Sequence, residues 1–124
     1  MKTKTYAFDF DGTMTNYEKF RGHDIVDEPR PEVVKAIQLL RSQGNKIIIY
    51  STRSNEVLKK WCDDNNVIVD YFNENPEYQP GNPGKPVAYV YIDDRAICYN
   101  GQTAEELVEE LNNFEVFYKE KTTS

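Results

Sequence analysis

The sequence predicts a three-layer α/β/α fold of the Rossmann-like type, with a mostly parallel sheet. Short apolar runs that suit strands alternate along the chain with amphipathic stretches that suit helices. The strand runs are rich in β-branched and aromatic residues, as in parallel strands that are covered on both faces. Acidic or hydroxyl side chains follow several of these runs, where open parallel sheets bind their ligands.

Length and composition are those of one domain. The chain has 124 residues, 39% of them hydrophobic, so we expect residues 1–124 to share a single core. The formal net charge of -6 argues weakly against a nucleic-acid partner, which usually requires a basic face. No apolar stretch is long enough to cross a membrane and no signal-peptide core is present, so we expect a cytoplasmic protein. Cys62 and Cys98 lack a metal-binding spacing, and His23 is the only histidine, which leaves carboxylates as the main reactive groups.

The first predicted strand ends in the most distinctive stretch of the sequence. Residues 6–10 suit a strand, and Asp9 and Asp11 begin on the same face at its carboxyl end. Two carboxylates this close repel each other unless a cation or hydrogen-bond donors lie between them, and Mg2+ prefers such oxygen ligands. Gly12 allows a tight turn and a close approach of backbone N–H groups to an anion. A simple turn cap is the alternative explanation of these residues.

Residues 14–29 have no regular period and are predicted to form a flap over the carboxyl ends of the strands. Lys19, Arg21 and His23 are candidates to steady a substrate there. A solvated loop with scattered charges is the simpler explanation of each one.

A helix and a second strand follow the flap. Pro31 suits the first position of a helix that ends before Gly44 and whose apolar face belongs to the core. Residues 46–50 have the β-branched composition of a buried parallel strand, which completes a right-handed βαβ unit. Ser54 is a candidate cap for the next helix, in which Trp61 is expected to be a core residue.

The second half of the chain is predicted to hold two more strands, at residues 67–72 and 87–92. Between them, residues 73–86 contain four prolines and two glycines, which exclude a regular element. We expect a binding loop or a mobile part of an active site there.

Asp93 and Asp94 follow the last of these strands. Adjacent residues on a strand face opposite ways, and we favour Asp93 as the direct metal ligand.

The last elements are a helix and an edge strand. Thr103 and Glu106 form a capping box, which predicts the start of a helix. Residues 114–118 place apolar side chains at alternate positions and are predicted to form a strand at the sheet edge. Residues 119–124 are expected to be frayed.

The order of these motifs resembles that of the haloacid dehalogenase superfamily. The first motif of that family, Asp-x-Asp-Gly-Thr after a short apolar strand, is complete at residues 9–13. The second motif is a Ser or Thr after the second strand, and Ser51 stands at that place, with Thr52 as the fallback. The trio that ends in Arg53 is similar to the Thr-Gly-Arg variant of that motif.

The third motif is matched less tightly than the other three. The third is a lysine, for which Lys85 is the best candidate by order, and Lys59 and Lys60 are alternatives. The fourth is an acidic pair after the fourth strand, which Asp93 and Asp94 match. The gaps where family members carry cap domains are short here, so the resemblance implies a capless form.

The resemblance implies a Mg2+-dependent phosphomonoester hydrolase. Asp9 would attack the substrate phosphorus to form an aspartyl-phosphate, and Asp11 would act as general acid and then as general base. Ser51 and Lys85 would complete the catalytic set by holding the transferring phosphoryl oxygens. The implied substrate contacts are Gly12, Thr13, Thr52 and Arg53, and the implied metal ligands are Asp9, Asp11 through its backbone carbonyl, Asp93 and Asp94.

An open, capless site could take a large substrate or be closed by a partner subunit of a homo-oligomer. The acidic balance of the chain favours a small phosphate ester, such as a sugar phosphate or a nucleotide. A nucleic-acid end-processing phosphatase is the first alternative. The second is a non-catalytic phosphate-binding or interaction module on the same fold.

Overall fold

The computed structural model describes residues 3–17, 19–22, 25–78 and 85–118. Within them the regular elements are, in chain order, β1 (Thr5–Asp9), α1 (Pro31–Ser42), β2 (Lys46–Tyr50), α2 (Asn55–Asn65), β3 (Tyr71–Phe72), β4 (Val90–Ile92) and α3 (Ala104–Asn112). A single wide turn, which we call the site turn (Phe10–Met14), follows β1 directly. None of the helices in these ranges has the length and apolar character needed to cross a membrane.

The sheet has four parallel strands in the order β3-β2-β1-β4. The chain winds outward from β1 to β3 and then returns to place β4 on the other side of β1. Ligands of such sheets bind beyond the carboxyl ends of the strands, where the winding direction changes. The predicted α/β fold with a parallel, Rossmann-like sheet is confirmed.

One face of the sheet packs against α1 and α2. Pro31 begins α1, and the Ser54 side chain caps α2 by accepting a hydrogen bond from the Val57 N–H (3.2 Å). The rings of Phe10 and Trp61 meet edge to face, with centroids 4.9 Å apart. The core of this face consists of Phe8, Phe10, Met14, Ile37, Ile47, Ile49, Leu58, Trp61, Cys62 and Val67. Complete burial of one such aliphatic side chain stabilises the fold by about 1.5–3 kcal/mol.

The other face of the sheet is covered at least in part by irregular chain. Tyr91 lies opposite Ala7 in the register of β4 and β1, and its hydroxyl donates a hydrogen bond to the Pro86 carbonyl oxygen. The buried Asn75 side chain donates to the carbonyl oxygen of Val87, the residue after the loop at residues 73–86 (2.8 Å). The described ends of this loop are therefore tied to β4 and to the segment before it, while residues 79–84 lie outside the described part of the chain.

The described ends of the predicted flap at residues 14–29 pair with each other. Thr15 and Pro29 form an isolated antiparallel bridge, and the Asn16 N–H donates to the Glu28 carbonyl oxygen (2.9 Å). His23 in the flap and the predicted frayed tail, residues 119–124, lie outside the described residues.

Two of the predicted strands are shorter than expected. The third covers Tyr71–Phe72 and not residues 67–72, because the chain after Asn66 is used to close α2. Asn66 adopts a left-handed conformation (φ 56°), and the Val67 N–H donates to the Cys62 carbonyl oxygen (2.9 Å), as in a Schellman closure. The fourth covers Val90–Ile92 and not residues 87–92.

The predicted edge strand at residues 114–118 was wrong, because these residues form no strand. Their alternating apolar pattern has another explanation. Phe117 and Tyr118 lie beside the Arg30 guanidinium, with ring centroids 4.8 and 5.7 Å from its central carbon. The segment is therefore held by stacking on a cation and not by the sheet.

We expect Asp70→Asn to destabilise the domain. The Asp70 carboxylate accepts hydrogen bonds from the Ile47 N–H (2.8 Å) and from the Arg41 guanidinium (3.2 and 3.3 Å). Burial opposes the charged form, but these hydrogen bonds and the Arg41 charge outweigh it and lower the pKa of Asp70. A carboxylate with a lowered pKa stabilises the fold above about pH 4 and loses this effect as the pH falls further. Loss of the charged hydrogen bonds should lower the free energy of unfolding at pH 7 by about 1 kcal/mol, allowing for solvent screening.

Asp63→Asn is the matched control, because Asp63 is exposed on α2 and the change in charge is the same. Denaturant unfolding at pH 7 and at pH 3 measures both variants. Equal stability of the two variants at pH 7 would contradict this role of Asp70.

Candidate active site

The site turn fixes the direction of the first two aspartates. The Thr15 N–H closes the turn on the Phe10 carbonyl oxygen (3.2 Å), and Gly12 inside it has a φ of +89°. Phe10 and Met14 are fully buried and anchor the turn in the core. Asp9, the last residue of β1, and Asp11 in the turn are left at the carboxyl edge of the sheet.

A cleft of about 670 Å³ opens at this edge. It contains six of the residues that the sequence predicts for the site, contributed by the ends of β1 and β2 and by the segments before and after β4. These are Asp9, Asp11, Ser51, Thr52, Lys85 and Asp94, and the remaining lining residues are Tyr17, Tyr50, Asn73, Pro86 and Arg95.

Three carboxylates converge at this edge of the sheet, and two of them, Asp9 and Asp94, line the cleft. Asp9, Asp93 and Asp94 each offer one oxygen, and these three oxygens lie within 4.8 Å of one another. We call these residues the acidic group. Hard divalent cations take such oxygen ligands, so the donor set fits an ion such as Mg2+.

Hydroxyl groups orient the two members of the acidic group that follow β4. The Tyr50 hydroxyl donates to Asp93 Oδ2 (2.7 Å), and the Tyr118 hydroxyl donates to Asp94 Oδ2 (2.7 Å). The Thr13 hydroxyl lies 3.2 Å from Asp94 Oδ1 and donates to it. Sequence reasoning predicted Thr13 as a substrate contact and missed both tyrosines.

Burial and neighbouring carboxylates oppose the ionisation of Asp9. Burial, a hydrogen bond with Asp94 and the negative charges of Asp93 and Asp94 together raise the pKa of Asp9 to about 8. Burial also opposes the charge of Asp94, but hydrogen bonds from Asp9, Tyr118 and Thr13 outweigh it and lower the pKa of Asp94. A cation bound by the acidic group would therefore compete with a proton on Asp9.

The Asp11 carboxylate points to an arginine and not to the acidic group. Arg53 Nε lies 2.9 and 3.1 Å from the two oxygens of Asp11, and Arg53 Nη1 donates to the Gly22 carbonyl oxygen (3.1 Å). Arg53 is 4% exposed, and it is not among the described residues that line the cleft. The sequence predicted Arg53 as a substrate contact, and in the structure its guanidinium is engaged with Asp11 and with the Gly22 carbonyl oxygen.

The three candidate lysines lie in different places. Lys85 lines the cleft, with its Nζ 4.0 Å from the centroid of the Tyr91 ring. Lys60 on the exposed side of α2 pairs with Asp64 (2.7 Å). Lys59 lies with its Nζ 5.7 Å from the centroid of the Phe72 ring. Among these three, Lys85 alone lies at the cleft wall.

Ser51 and Thr52, the hydroxyl residues after β2, line the cleft. Ser51 Oγ accepts a hydrogen bond from the Arg53 N–H (3.1 Å), and the Ser51 N–H donates to Asn73 Oδ1 (2.8 Å). Thr52 is exposed at the cleft wall.

In the flap, Arg21 forms an ion pair with Asp27, so the charge of Arg21 is engaged within the flap itself.

Two solved structures are similar to this chain. The structure of a conserved protein from Bacteroides thetaiotaomicron is 28% identical, with a TM-score of 0.62 and 90% of each chain covered. The crystal structure of a structural-genomics target from Vibrio cholerae is 21% identical, with a TM-score of 0.51, and the match covers 89% of this chain and 98% of that chain. These likenesses support the α/β fold, and neither description names an activity. No protein-family model matches the sequence, and no curated protein matches it.

We expect Gly12→Ala to damage the site through two separable effects. A positive φ costs a residue with a side chain about 1–2 kcal/mol. In addition, a Cβ atom at Gly12 would lie 2.4 Å from Asp94 Oδ2 and 2.9 Å from the Tyr118 hydroxyl oxygen, so Asp94 would have to move.

Gly101→Ala separates the two effects. Gly101 has the same φ of +89°, but nothing lies within 4 Å of the position of its Cβ. Denaturant unfolding should show a larger loss of stability for Gly12→Ala than for Gly101→Ala. Equal losses would mean that the contact with Asp94 is not tight.

Proposed function

We propose that this protein is a Mg2+-dependent phosphomonoester hydrolase of the haloacid dehalogenase type, acting through an aspartyl-phosphate on Asp9. The observation that carries the proposal is the acidic group, whose three carboxylate oxygens meet within 4.8 Å at the carboxyl edge of the parallel sheet. Asp11, Ser51 and Lys85 line the same cleft. This combination supplies a nucleophile, an acid–base group, phosphate contacts and a cation site in one place.

Asp9, Asp93 and Asp94 would hold the cation. When bound, Mg2+ supplies positive charge that offsets the repulsion between a carboxylate nucleophile and a phosphate. The fit rests on the oxygen-only donor set and on the repulsion among these carboxylates, which raises the pKa of Asp9.

Asp9 is suited to be the nucleophile because it is rigidly held and faces the cleft. It ends β1, which is hydrogen-bonded to β2 on one side and to β4 on the other. An Asp9 oxygen would form a bond to phosphorus while the bond from phosphorus to the ester oxygen breaks. Water would then attack the phosphorus, release phosphate and restore the Asp9 carboxylate.

Asp11 is suited to move the proton in both steps. It would give a proton to the leaving ester oxygen and later take one from the attacking water. Arg53 fixes the position of Asp11, since its buried guanidinium is held by both Asp11 oxygens and by the Gly22 carbonyl. The ion pair between Arg53 and Asp11 suits the second step, in which the Asp11 carboxylate accepts a proton from water.

Ser51, Thr52 and Lys85 are the candidate contacts for the phosphoryl oxygens, because their side chains lie at the cleft wall. The cleft volume of about 670 Å³ is within the range of sites that bind small molecules. These features support a small phosphate ester as the substrate, such as a sugar phosphate or a nucleotide.

Hydrolysis of an aryl phosphate tests the proposal. We expect turnover that requires Mg2+ and that falls by about 1,000-fold or more in Asp9→Asn, because the nucleophile is lost. Asp63→Asn is the control, since it makes the same chemical change at an exposed position on α2 and should retain full activity. Metal-dependent turnover by a folded Asp9→Asn variant would contradict the role of Asp9.

The affinity for Mg2+ should rise with pH. The pKa of Asp9 is raised to about 8, so below that pH the cation must displace a proton. We expect Mg2+ to bind about 10-fold more weakly for each pH unit below this value, with a plateau above it. Calorimetric titrations between pH 6 and pH 9 measure the dissociation constant, and Asp9→Asn should remove the dependence. A wild-type dissociation constant that is the same at pH 6 and pH 8 would contradict the proton competition.

A further inference from the structure

The chain after α3 returns to the candidate active site. Tyr118, six residues beyond the end of α3, donates its hydroxyl hydrogen to Asp94 Oδ2 (2.7 Å). The two residues are 24 positions apart in the sequence, and nothing in the local pattern around Tyr118 indicates a role at the site.

The Tyr118 ring is held on the site turn by an arginine. Arg30 lies with the central carbon of its guanidinium 4.8 Å from the centroid of the Phe117 ring and 5.7 Å from that of the Tyr118 ring. The Arg30 N–H donates to the carbonyl oxygen of Met14, the last residue of the site turn (2.8 Å). The hydroxyl group therefore reaches Asp94 from a direction that the contacts of the ring with Arg30 fix.

We propose that Tyr118 is a positioning residue that orients the Asp94 carboxylate for the divalent cation, an inference that rests on the cation site of the proposed function. The Tyr118 hydroxyl donates a hydrogen bond to one oxygen of the Asp94 carboxylate, and the Thr13 hydroxyl donates to the other (3.2 Å). Two donors on opposite oxygens fix the plane of the carboxylate, and each oxygen keeps a lone pair for a cation.

A tyrosine suits this task because its hydroxyl is neutral. A lysine or arginine in its place would orient Asp94 but would also cancel part of the negative charge that attracts the cation. The close packing at Gly12 limits the space further, since a Cβ there would lie 2.9 Å from the Tyr118 hydroxyl oxygen. The hydroxyl, Asp94 and the turn backbone thus form one tightly packed contact.

Tyr118→Phe tests the inference, because it removes the hydroxyl and keeps the ring that Arg30 contacts. The control is Tyr99→Phe, since the Tyr99 side chain is 65% exposed. Calorimetric titration with Mg2+ in the absence of substrate should give a dissociation constant about 10-fold higher for Tyr118→Phe and an unchanged value for Tyr99→Phe. The Mg2+ concentration for half-maximal turnover should rise similarly, and saturating Mg2+ should restore kcat.

The outcomes separate this inference from the proposed function. Equal Mg2+ affinity of the wild type and Tyr118→Phe would overturn the role of Tyr118, whether or not phosphate esters are hydrolysed. A loss of kcat that saturating Mg2+ does not restore would also overturn it. A wild type that binds no Mg2+ would overturn the inference together with the cation site. A wild type that binds Mg2+ but hydrolyses no phosphate ester would overturn the proposed function alone, and weaker binding by Tyr118→Phe would still support the inference.

Discussion

The mutual repulsion of three carboxylates is the constraint on which the rest of the site depends. Asp9, Asp93 and Asp94 lie close together at a partly buried edge, where their charges are screened less than in water. Hydrogen-bond donors on Asp93 and Asp94 offset part of this repulsion, and the remainder contributes to the raised pKa of Asp9. A divalent cation among these oxygens would offset the repulsion more fully.

The parallel sheet creates this constraint. The strand order places β4 beside β1, so the residues that follow both strands emerge at the same edge. β1 has hydrogen-bonded neighbours on both sides, and the site turn after it is anchored by two fully buried side chains. The backbone near Asp9 therefore cannot relax away from the other carboxylates without loss of core packing.

The sequence was most informative where chemistry follows a strand directly. The carboxyl ends of parallel strands share one edge of the sheet, so residues that directly follow such strands could be predicted to meet there. The structure places four of them at the cleft: Asp9, Asp11, Ser51 and Asp94. β3 was harder to predict, because the choice between extending a strand and closing α2 depends on the left-handed conformation of Asn66.

Side-chain contacts between distant parts of the chain could not be predicted. Tyr50 and Tyr118 are 43 and 24 residues from the aspartates that they contact, and propensity carries no information at such separations. Tyr50 did leave one usable signal, because it ends β2 opposite Asp9 in the register of the sheet. Arg53 shows the reverse problem, since the motif indicated its place but not that its guanidinium is buried against Asp11.

The most direct test of the central claim is a crystal structure of the protein with Mg2+ and BeF3-, a mimic of the phosphoryl group. We expect the beryllium to be bound to an Asp9 carboxylate oxygen, with the cation in contact with Asp9 and with Asp93 or Asp94. A fluoroberyllate group on another residue, or a cation bound away from these carboxylates, would contradict it.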